Sequence, residues 1–287
     1  MRNLIKKCLH ILPDEWYIQL QYLHHFHCFA NLKSPQTFNE KLNWLKLHDR
    51  NPLYMTLVDK YAVKKWVADK IGSQYIIPTL GVWGKAEDID FEALPNQFVL
   101  KANHDSGGIV ICRDKAQLDK QATIDKLSNA LKNNGYWYGR EWPYKNVKPC
   151  IIAEKYMEDS RTKELRDYKF FCFNAEPKML FIASDRYHPI EETKFDFYDM
   201  QFNHLPFTNG HPNSQKRIEK PVMFEEMKRL AQKLSEGIAQ VRVDFYEIDG
   251  RIYFGEMTFS HWGGFMPFDP PEWDKKIGDW LVLPNKK

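Results

Sequence analysis

The chain has no cysteine pair at metal-binding spacing: Cys8, Cys28, Cys112, Cys150 and Cys172 stand apart, odd in number and without a CxxC. Neither a disulfide frame nor a zinc cage is expected, and a reducing, cytoplasmic location is. No apolar run approaches the roughly 18 residues of a membrane span, so no transmembrane segment is expected. Met1 to Pro13 also lacks the apolar core and small-residue cleavage site of a secretory signal. An excess of one charge is missing too. With 41 basic and 38 acidic residues the net charge is only +3, too balanced for a general nucleic-acid coat, and no nucleic-acid partner is expected.

What is present is a chain of 287 residues with 43% apolar and 28% charged content, enough for one globular unit of one to three subdomains. Its most informative stretch is residues 241–264. Two runs with strand-like alternation, 241–246 and 251–257, flank an Asp249-Gly250 turn signal, which reads as a β-hairpin. Val241, Val243 and Phe245 would point one way, and Arg242, Asp244 and Tyr246 the other. A two-residue loop would pair Asp244 with Gly255 and turn Glu256 away. A three-residue loop, Ile248 to Gly250, would bring Asp244 and Glu256 onto one face, and it is the loop expected. Two carboxylates about 5 Å apart repel by roughly 3 kcal/mol at an effective dielectric near 20. Such a pair calls for a metal, an arginine or a shared proton, and magnesium suits it best. A hairpin with solvated charges is the plainer alternative.

Taken in order, residues 1–72 read as helical. Leu4, Ile5, Cys8, Leu9 and Leu12 recur at helical spacing, and Trp16, Leu20 and Leu23 continue after Pro13. His24, His25 and His27 beside Cys28 are expected to pack, not to ligate. Thr37 and Glu40 form a capping box ahead of Leu42, Trp44, Leu45 and Leu47. Residues 57–67 predict a basic amphipathic helix ending at Gly72, which carries Lys60, Lys64 and Lys65. After a short strand at 76–80, the run 98–101 delivers Lys101 to the loop 102–108, which contains Ser106, Gly107 and Gly108, and 109–111 returns as a strand. A P-loop would open a helix here; this is a glycine loop between strands, able to bring backbone N–H groups near phosphate. A helix is predicted over 114–135 with Leu118, Ile124, Leu127 and Leu131 inward. The aromatic segment 136–144 is compatible with sugar stacking, a lid or core packing. Strands follow at 150–157, 166–173 and 178–183, with a turn at Asn174-Ala175, and then a helix at 224–237. The order predicts an α+β architecture with a mainly antiparallel sheet.

A lysine in a helix, Lys101 before a glycine loop, the I-I-x-E-K-Y run at 151–156, D-Y-K at 167–169, and R-x-D at 242–244 followed by E-x-T at 256–258 together resemble the ATP-grasp superfamily. Residues 98–108, 154–156, 166–174 and 255–264 are similar to its TupA-like group, named for teichuronopeptide synthesis and associated with bacterial capsule and exopolysaccharide functions. The resemblance spans about residues 50–285. It implies an ATP-grasp fold, two α+β subdomains clasping ATP: a helical segment 1–72, a first subdomain 73–149 and a second 150–287. It also implies that Lys101, Ser106, Gly107, Gly108 and Lys60 hold phosphates. Glu154, Lys155, Tyr156 and Met157 would form the adenine-reading hinge, the Glu154 side chain included. Asp167 and Lys169 would lie near ribose or phosphates. Asp244 and Glu256 would bind magnesium, one of two such ions, with Thr258 assisting, and Arg242 would stabilise the transferring phosphoryl group, with Lys169 beside it. The family commonly has Asn where Thr258 stands, which puts the second metal in question.

The implied activity is carboxylate–amine ligation through an acyl phosphate, with ATP, a small-molecule amine and a carboxylate as substrates. The expected product joins an amino acid to a uronic acid or peptide-like unit of a surface polysaccharide, with other polysaccharide-assembly enzymes as possible partners. Two alternatives stay open. A kinase would need a base such as Asp185 or His261. A glycosyltransferase would use a metal-binding Asp-x-Asp signature; Asp88-Ile89-Asp90 fits its letters within a turn-like acidic patch, and Asp196 to Asp199 is one residue too long for it.

Overall fold

The structure, a computed structural model, describes residues 11–160, 165–185, 192–216 and 218–285. The apolar stripe expected from Leu4 to Leu9 lies outside the described residues. Four helices lead: α1 (Asp14–Phe26), α2 (Phe38–His48), α3 (Leu53–Val58) and α4 (Ala62–Ile71). The expected capping box opens α2, with Thr37 accepting from the Glu40 amide and Glu40 reaching back to Thr37. On α1 the inward face differs from expectation. Trp16 and Leu20 remain 66% and 43% exposed, while Tyr17, Ile18 and Tyr22 are buried. Tyr17 can face inward because its hydroxyl donates to the Tyr138 carbonyl and its ring lies under the Arg140 guanidinium.

The single helix expected over 57–67 is broken in two. Asp59 Oδ1 accepts from the amides of Tyr61 and Ala62, at 2.8 and 3.1 Å, and so caps α4. Lys60 therefore leaves the helix, and its amide donates to the Asn103 carbonyl beside the glycine loop.

The first sheet contains β1 (Thr79–Trp83), β2 (Phe98–Ala102), β3 (Ile109–Cys112) and β4 (Ile151–Lys155) in the order β1-β4-β2-β3, antiparallel throughout. Helix α5 (Lys120–Leu131) covers it through Leu127, with Ile124 and Leu131 partly buried, and the short helix α6 (Tyr136–Gly139) follows. It begins later than position 114 because Asp119 is extended and caps it by accepting from Ala122. β4 pairs between β1 and β2, so the strand Ile151–Lys155 belongs to the first sheet.

The second sheet runs β7-β6-β5-β8-β9, also antiparallel: β5 (Asp167–Phe173), β6 (Glu176–Ser184), β7 (Lys194–Asp199), β8 (Gln240–Ile248) and β9 (Arg251–Thr258). One face buries Tyr168, Phe170, Val241, Val243 and Phe245 against α7 (Phe224–Leu234). The other buries Phe171, Phe173 and Phe181 with Phe38 of α2 and Ile277 of α8 (Glu272–Trp280). Both faces are covered, so β5 is buried along its whole length. The architecture is α+β, with two antiparallel sheets and helices at its N-terminus.

The β8–β9 hairpin corrects the expected loop. Ile248 pairs with Arg251, so the turn has two residues, and Asp249 and Gly250 both have positive φ (49° and 73°), as a type I′ turn requires. That register alone would send Glu256 to the far face. A β-bulge between Asp244 and Phe245 restores it: Phe245 pairs with Phe254, Asp244 with Glu256, and Gly255 is the extra residue. A Cβ at Gly255 would sit 3.1 Å from the Asp244 carbonyl oxygen.

At the other end of the chain, Gly278 of α8 meets the entry to α2 so closely that a Cβ would lie 2.4 Å from the Gln36 carbonyl oxygen and 2.8 Å from the Phe38 amide nitrogen. Backbone cannot yield as a side chain would. Gly278→Ala is expected to destabilise the fold by about 1–3 kcal/mol, read as a lower urea midpoint; an unchanged midpoint would show that this contact is looser than described.

Candidate active site

The polar face of the second sheet forms rows across three strands. Lys169 pairs with Asp244 and Asp244 with Glu256; one step along, Phe171 pairs with Arg242 and Arg242 with Thr258. Directly opposed residues on one face lie close enough to bond. Lys169 Nζ donates to Asp244 Oδ2 and stands 3.3 Å from Asp167 Oδ1. Arg242 grips both oxygens of Asp244, Nε to Oδ1 at 2.7 Å and Nη2 to Oδ2 at 2.8 Å. Its Nη2 also reaches Glu256 Oε1 (3.2 Å) and Thr258 Oγ1 (3.0 Å). Asp244 is fully buried, whereas the Glu256 side chain keeps 35% of its surface exposed. A charge this deep persists only when its partners surround it.

The first sheet contributes a second group. Glu154, in the middle of the sheet at β4, accepts from Lys64 Nζ of α4 and Lys101 Nζ of β2, both at 2.6 Å. Burial alone would raise its pKa, but the two ammonium groups bring it below the ordinary carboxylate value. The Glu154 side chain thus holds two lysines in place, and an adenine contact through it would compete with them. The hinge residues Lys155, Tyr156 and Met157 line a cavity of about 440 Å³ with Glu158 and, from the hairpin, Ile248, Asp249, Arg251 and Tyr253.

Lys60 joins the two groups. Its ammonium donates to the Asp105 carbonyl of the glycine loop at 3.0 Å and stands 3.7 Å from Glu256 Oε2. Released from the helix by the Asp59 cap, it spans from the first sheet's loop to the second sheet's carboxylate. In that loop Ser106 and Gly107 are exposed at the tip. Gly108 is buried, and a Cβ there would meet Ala130 of α5 at 2.5 Å and Ala102 at 3.1 Å. Packing therefore accounts for Gly108, while at exposed Gly107 a Cβ would meet only Asp105 Oδ2, at 3.8 Å, and the Gly107 amide donates to Asp105 Oδ1 at 3.2 Å.

Five cations (Lys60, Lys64, Lys101, Lys169 and Arg242) face four carboxylates (Glu154, Asp167, Asp244 and Glu256). Burial would raise the Glu256 pKa, yet Lys60, Lys169, Arg242 and Lys101 hold it well below the usual range. The donor set fits a hard cation. Asp244 and Glu256 lie side by side and offer oxygen ligands only. Among the described residues no three His, Cys, Asp or Glu side chains gather around one point, so such a cation would complete its shell with phosphate or water. Thr258 Oγ1 already accepts from Arg242.

Several neighbours were not legible as site residues. Lys64 belongs to the expected basic helix with no role assigned to it, and the segment 136–144 stays open between sugar stacking, a lid and core packing. Tyr144 is nevertheless half-buried beside the site, where desolvation, Glu141, Glu256 and Asp244 raise its phenol pKa well above the usual value. His261, weighed as a base, has both ring nitrogens engaged, by Arg242 and Asn209. Three of the four candidate transferase carboxylates serve structure. Asp90 caps the amides of Glu92 and Ala93, Asp196 accepts from the Ser214 amide and pairs with His204, and Asp199 accepts from Gln201 and Asn203.

A family model described as TupA-like ATPgrasp matches residues 40–282. Among solved structures, the D-alanine–D-alanine ligase from Bacillus anthracis complexed with ATP is similar at 17% identity, covering 71% of this chain and 55% of that one, with a TM-score of 0.43. The corresponding ligase from Helicobacter pylori is similar at 13% identity, with coverage of 79% and 61% and a TM-score of 0.42. The D-cycloserine synthetase DcsG is similar at 14% identity, with coverage of 72% and 64% and a TM-score of 0.43. The chain thus matches between 55% and 64% of the length of these structures. No curated protein matches it.

The Glu154 cluster generates a pH signature. A carboxylate whose folded pKa is depressed contributes stability above its unfolded pKa, near 4.3, and loses it as pH falls through the lower folded value. Glu154→Gln leaves two buried lysines without their anion and is expected to cost about 3–5 kcal/mol at pH 7. Urea titrations should show the gap to wild type narrowing below about pH 4; a gap constant from pH 7 to pH 3 would contradict the assignment.

Proposed function

The chain belongs to the TupA-like ATP-grasp family, and from that premise we propose that it is an ATP- and magnesium-dependent carboxylate–amine ligase. The observation that carries the proposal is the bridge made by Lys60, which stands between the glycine loop and the carboxylate pair of the hairpin. Nucleotide phosphates set between them would meet lysines on one side and a cation-binding carboxylate pair on the other.

In this reading Lys60, Lys101 and Lys169, with the backbone at Ser106 and Gly107, hold the phosphate chain. The backbone of 154–157 reads adenine in the hinge cavity, and Asp167 lies toward the ribose or phosphates. Asp244 and Glu256 hold magnesium, which supplies charge neutralisation to the phosphates when bound. Thr258 is a candidate for a second ion. Arg242 stabilises charge on the transferring phosphoryl group.

The reaction balances in two steps. A substrate carboxylate oxygen bonds to the γ-phosphorus and the bond to ADP breaks, giving an acyl phosphate. An amine then attacks the acyl carbon, phosphate leaves with the bonding pair, and the amine loses a proton. Activation is needed because a carboxylate is a poor acyl donor, and the buried site keeps water from the intermediate.

We further propose that the acceptor is borne on a sugar, an amino acid being joined to a uronic acid or peptide-like unit of a bacterial surface polysaccharide, on the cytoplasmic side and alongside other enzymes of polysaccharide assembly. Trp262 supports this: it is 42% exposed, next to His261, with its indole packed over Gly210. An open aromatic face suits the apolar face of a sugar ring.

Calorimetry with a nonhydrolysable ATP analogue tests the nucleotide site. Wild type should bind more tightly with magnesium than without. Glu256→Gln, a change at a partly exposed position, should abolish that difference. Equal binding with and without magnesium in wild type would remove the metal role of the hairpin. ADP release that requires both a carboxylate and an amine would separate ligation from phosphorylation of a hydroxyl.

A further inference from the structure

The turn after β9 holds a histidine with a fixed tautomer. Arginine has no acceptor atom, so Arg242 Nη1, 3.1 Å from His261 Nδ1, can only donate. Nδ1 is therefore the bare nitrogen, and Nε2 carries the proton it donates to Asn209 Oδ1 at 2.9 Å. The asparagine cannot be reversed, because its Nδ2 donates to the carbonyls of Met266 and Pro267 at 3.1 and 3.0 Å. Asn209 and His261 are both buried, and the rings of Phe171 and Phe181 lie 5.0 and 5.4 Å from the imidazole. Burial, then Arg242 and Lys169, push the imidazole pKa well below its usual value, so the ring is neutral.

The turn itself is held from behind. Trp262, Gly263 and Gly264 take left-handed φ angles of 51°, 63° and 74°. A run like this persists only where its surroundings fix it. Lys46 Nζ donates to the Gly263 carbonyl at 2.7 Å, and Asn43 Nδ2 to the Gly264 carbonyl at 2.8 Å, both from α2.

The other contacts of Arg242 differ in kind. Apart from Thr258, its Nε and Nη2 are bonded to Asp244 and Glu256, the carboxylates that a divalent cation would also use. Oxygen lone pairs given to a metal are lost to the guanidinium. His261 is neutral, walled in and tied to Asn209, so its acceptor stays. Among the described residues no acceptor other than His261 meets Nη1, which leaves the second Nη1 hydrogen for a phosphoryl oxygen.

We propose that His261, held by Asn209, is the positioning residue for Arg242: it keeps the guanidinium in place when the metal takes Asp244 and Glu256, so that Arg242 meets the phosphoryl group in transfer. This rests on the nucleotide reading of the site. A carboxylate at the same place would hold Arg242 as firmly but would compete for the cation, and a neutral ring does not.

Two substitutions separate the ring's two contacts. His261→Asn puts an amide oxygen near the place of Nδ1 and keeps an acceptor for Arg242. His261→Gln puts its polar end near the place of Nε2 and keeps only the Asn209 side. Binding of ADP with magnesium is compared with and without aluminium fluoride, which mimics the phosphoryl group in transfer. Wild type should gain affinity from the fluoride complex. His261→Gln should lose about 100-fold of that gain and His261→Asn less than about fivefold, with the affinity for ADP and magnesium changed less than about threefold in both. Equal losses in the two variants, no loss in either, or no gain in wild type would overturn the proposal.

A second measurement covers variants that fail to fold. In wild type, 15N NMR of the histidine ring should show Nε2 protonated and Nδ1 bare, with or without nucleotide; the opposite tautomer sinks the contact to Arg242. Should nucleotide fail to bind while the tautomer is as stated, the contact stands and the functional reading falls.

Discussion

Arg242, Lys169 and Asp244 are buried side by side on the second sheet, and none of the three charges would be tolerable without the others. Taking an ion out of water costs several kcal/mol even after the protein relaxes, and only close partners with good geometry offset it. The pairing of β5 with β8 puts Lys169 against Asp244, and the two-residue offset along β8 puts Arg242 on the same face. Shifting either strand by one residue would send these groups into the apolar layer formed with α7. The strand register and the charge cluster therefore enforce one another.

Glu256 joins this cluster only through an irregularity. The tight turn at Asp249-Gly250 and the bulge at Gly255 act in opposite directions on the register, and their combination brings the second carboxylate to the first. The first sheet uses a similar economy of parts. Glu154 is surrounded by Lys64 and Lys101, and its charge keeps two long side chains extended toward the cleft. Lys60 completes the bridge because Asp59 ends one helix and begins the next. Positive charge is thus placed at both sheets by carboxylates that are themselves out of water.

The helices before the two sheets are part of the site's support. From α2, Lys46 and Asn43 bind the carbonyls of the turn that follows β9, and that turn carries His261 to Arg242. The segment 136–144 closes the same region, with Lys46 also donating to the Gly139 carbonyl and Tyr144 lying near Glu141, Glu256 and Asp244. Tyr144 is a wall of the charged site, whereas Tyr136 donates to Asp14 and Trp142 to the Asp49 carbonyl, so the segment is part wall and part packing and composition could not separate the two.

The sequence by itself determined the α+β class, both hairpins, the capping box of α2, and the shared face of Arg242 and Asp244, because these follow from periods of two and 3.6 and from local turn and cap chemistry. It also carried the order of lysines, glycine loop and paired carboxylates by which the family is recognised. The break that frees Lys60 is local cap chemistry at Asp59 that the helical reading of 57–67 passed over, whereas two things were decided only in three dimensions: the bulge at Gly255 and the capture of Glu154 by two lysines. In each of these a side chain answers to a partner far away in sequence or to a backbone shift of one residue. Local pattern has no information about either, since the energy that selects them comes from contacts that exist only once both sheets are in place.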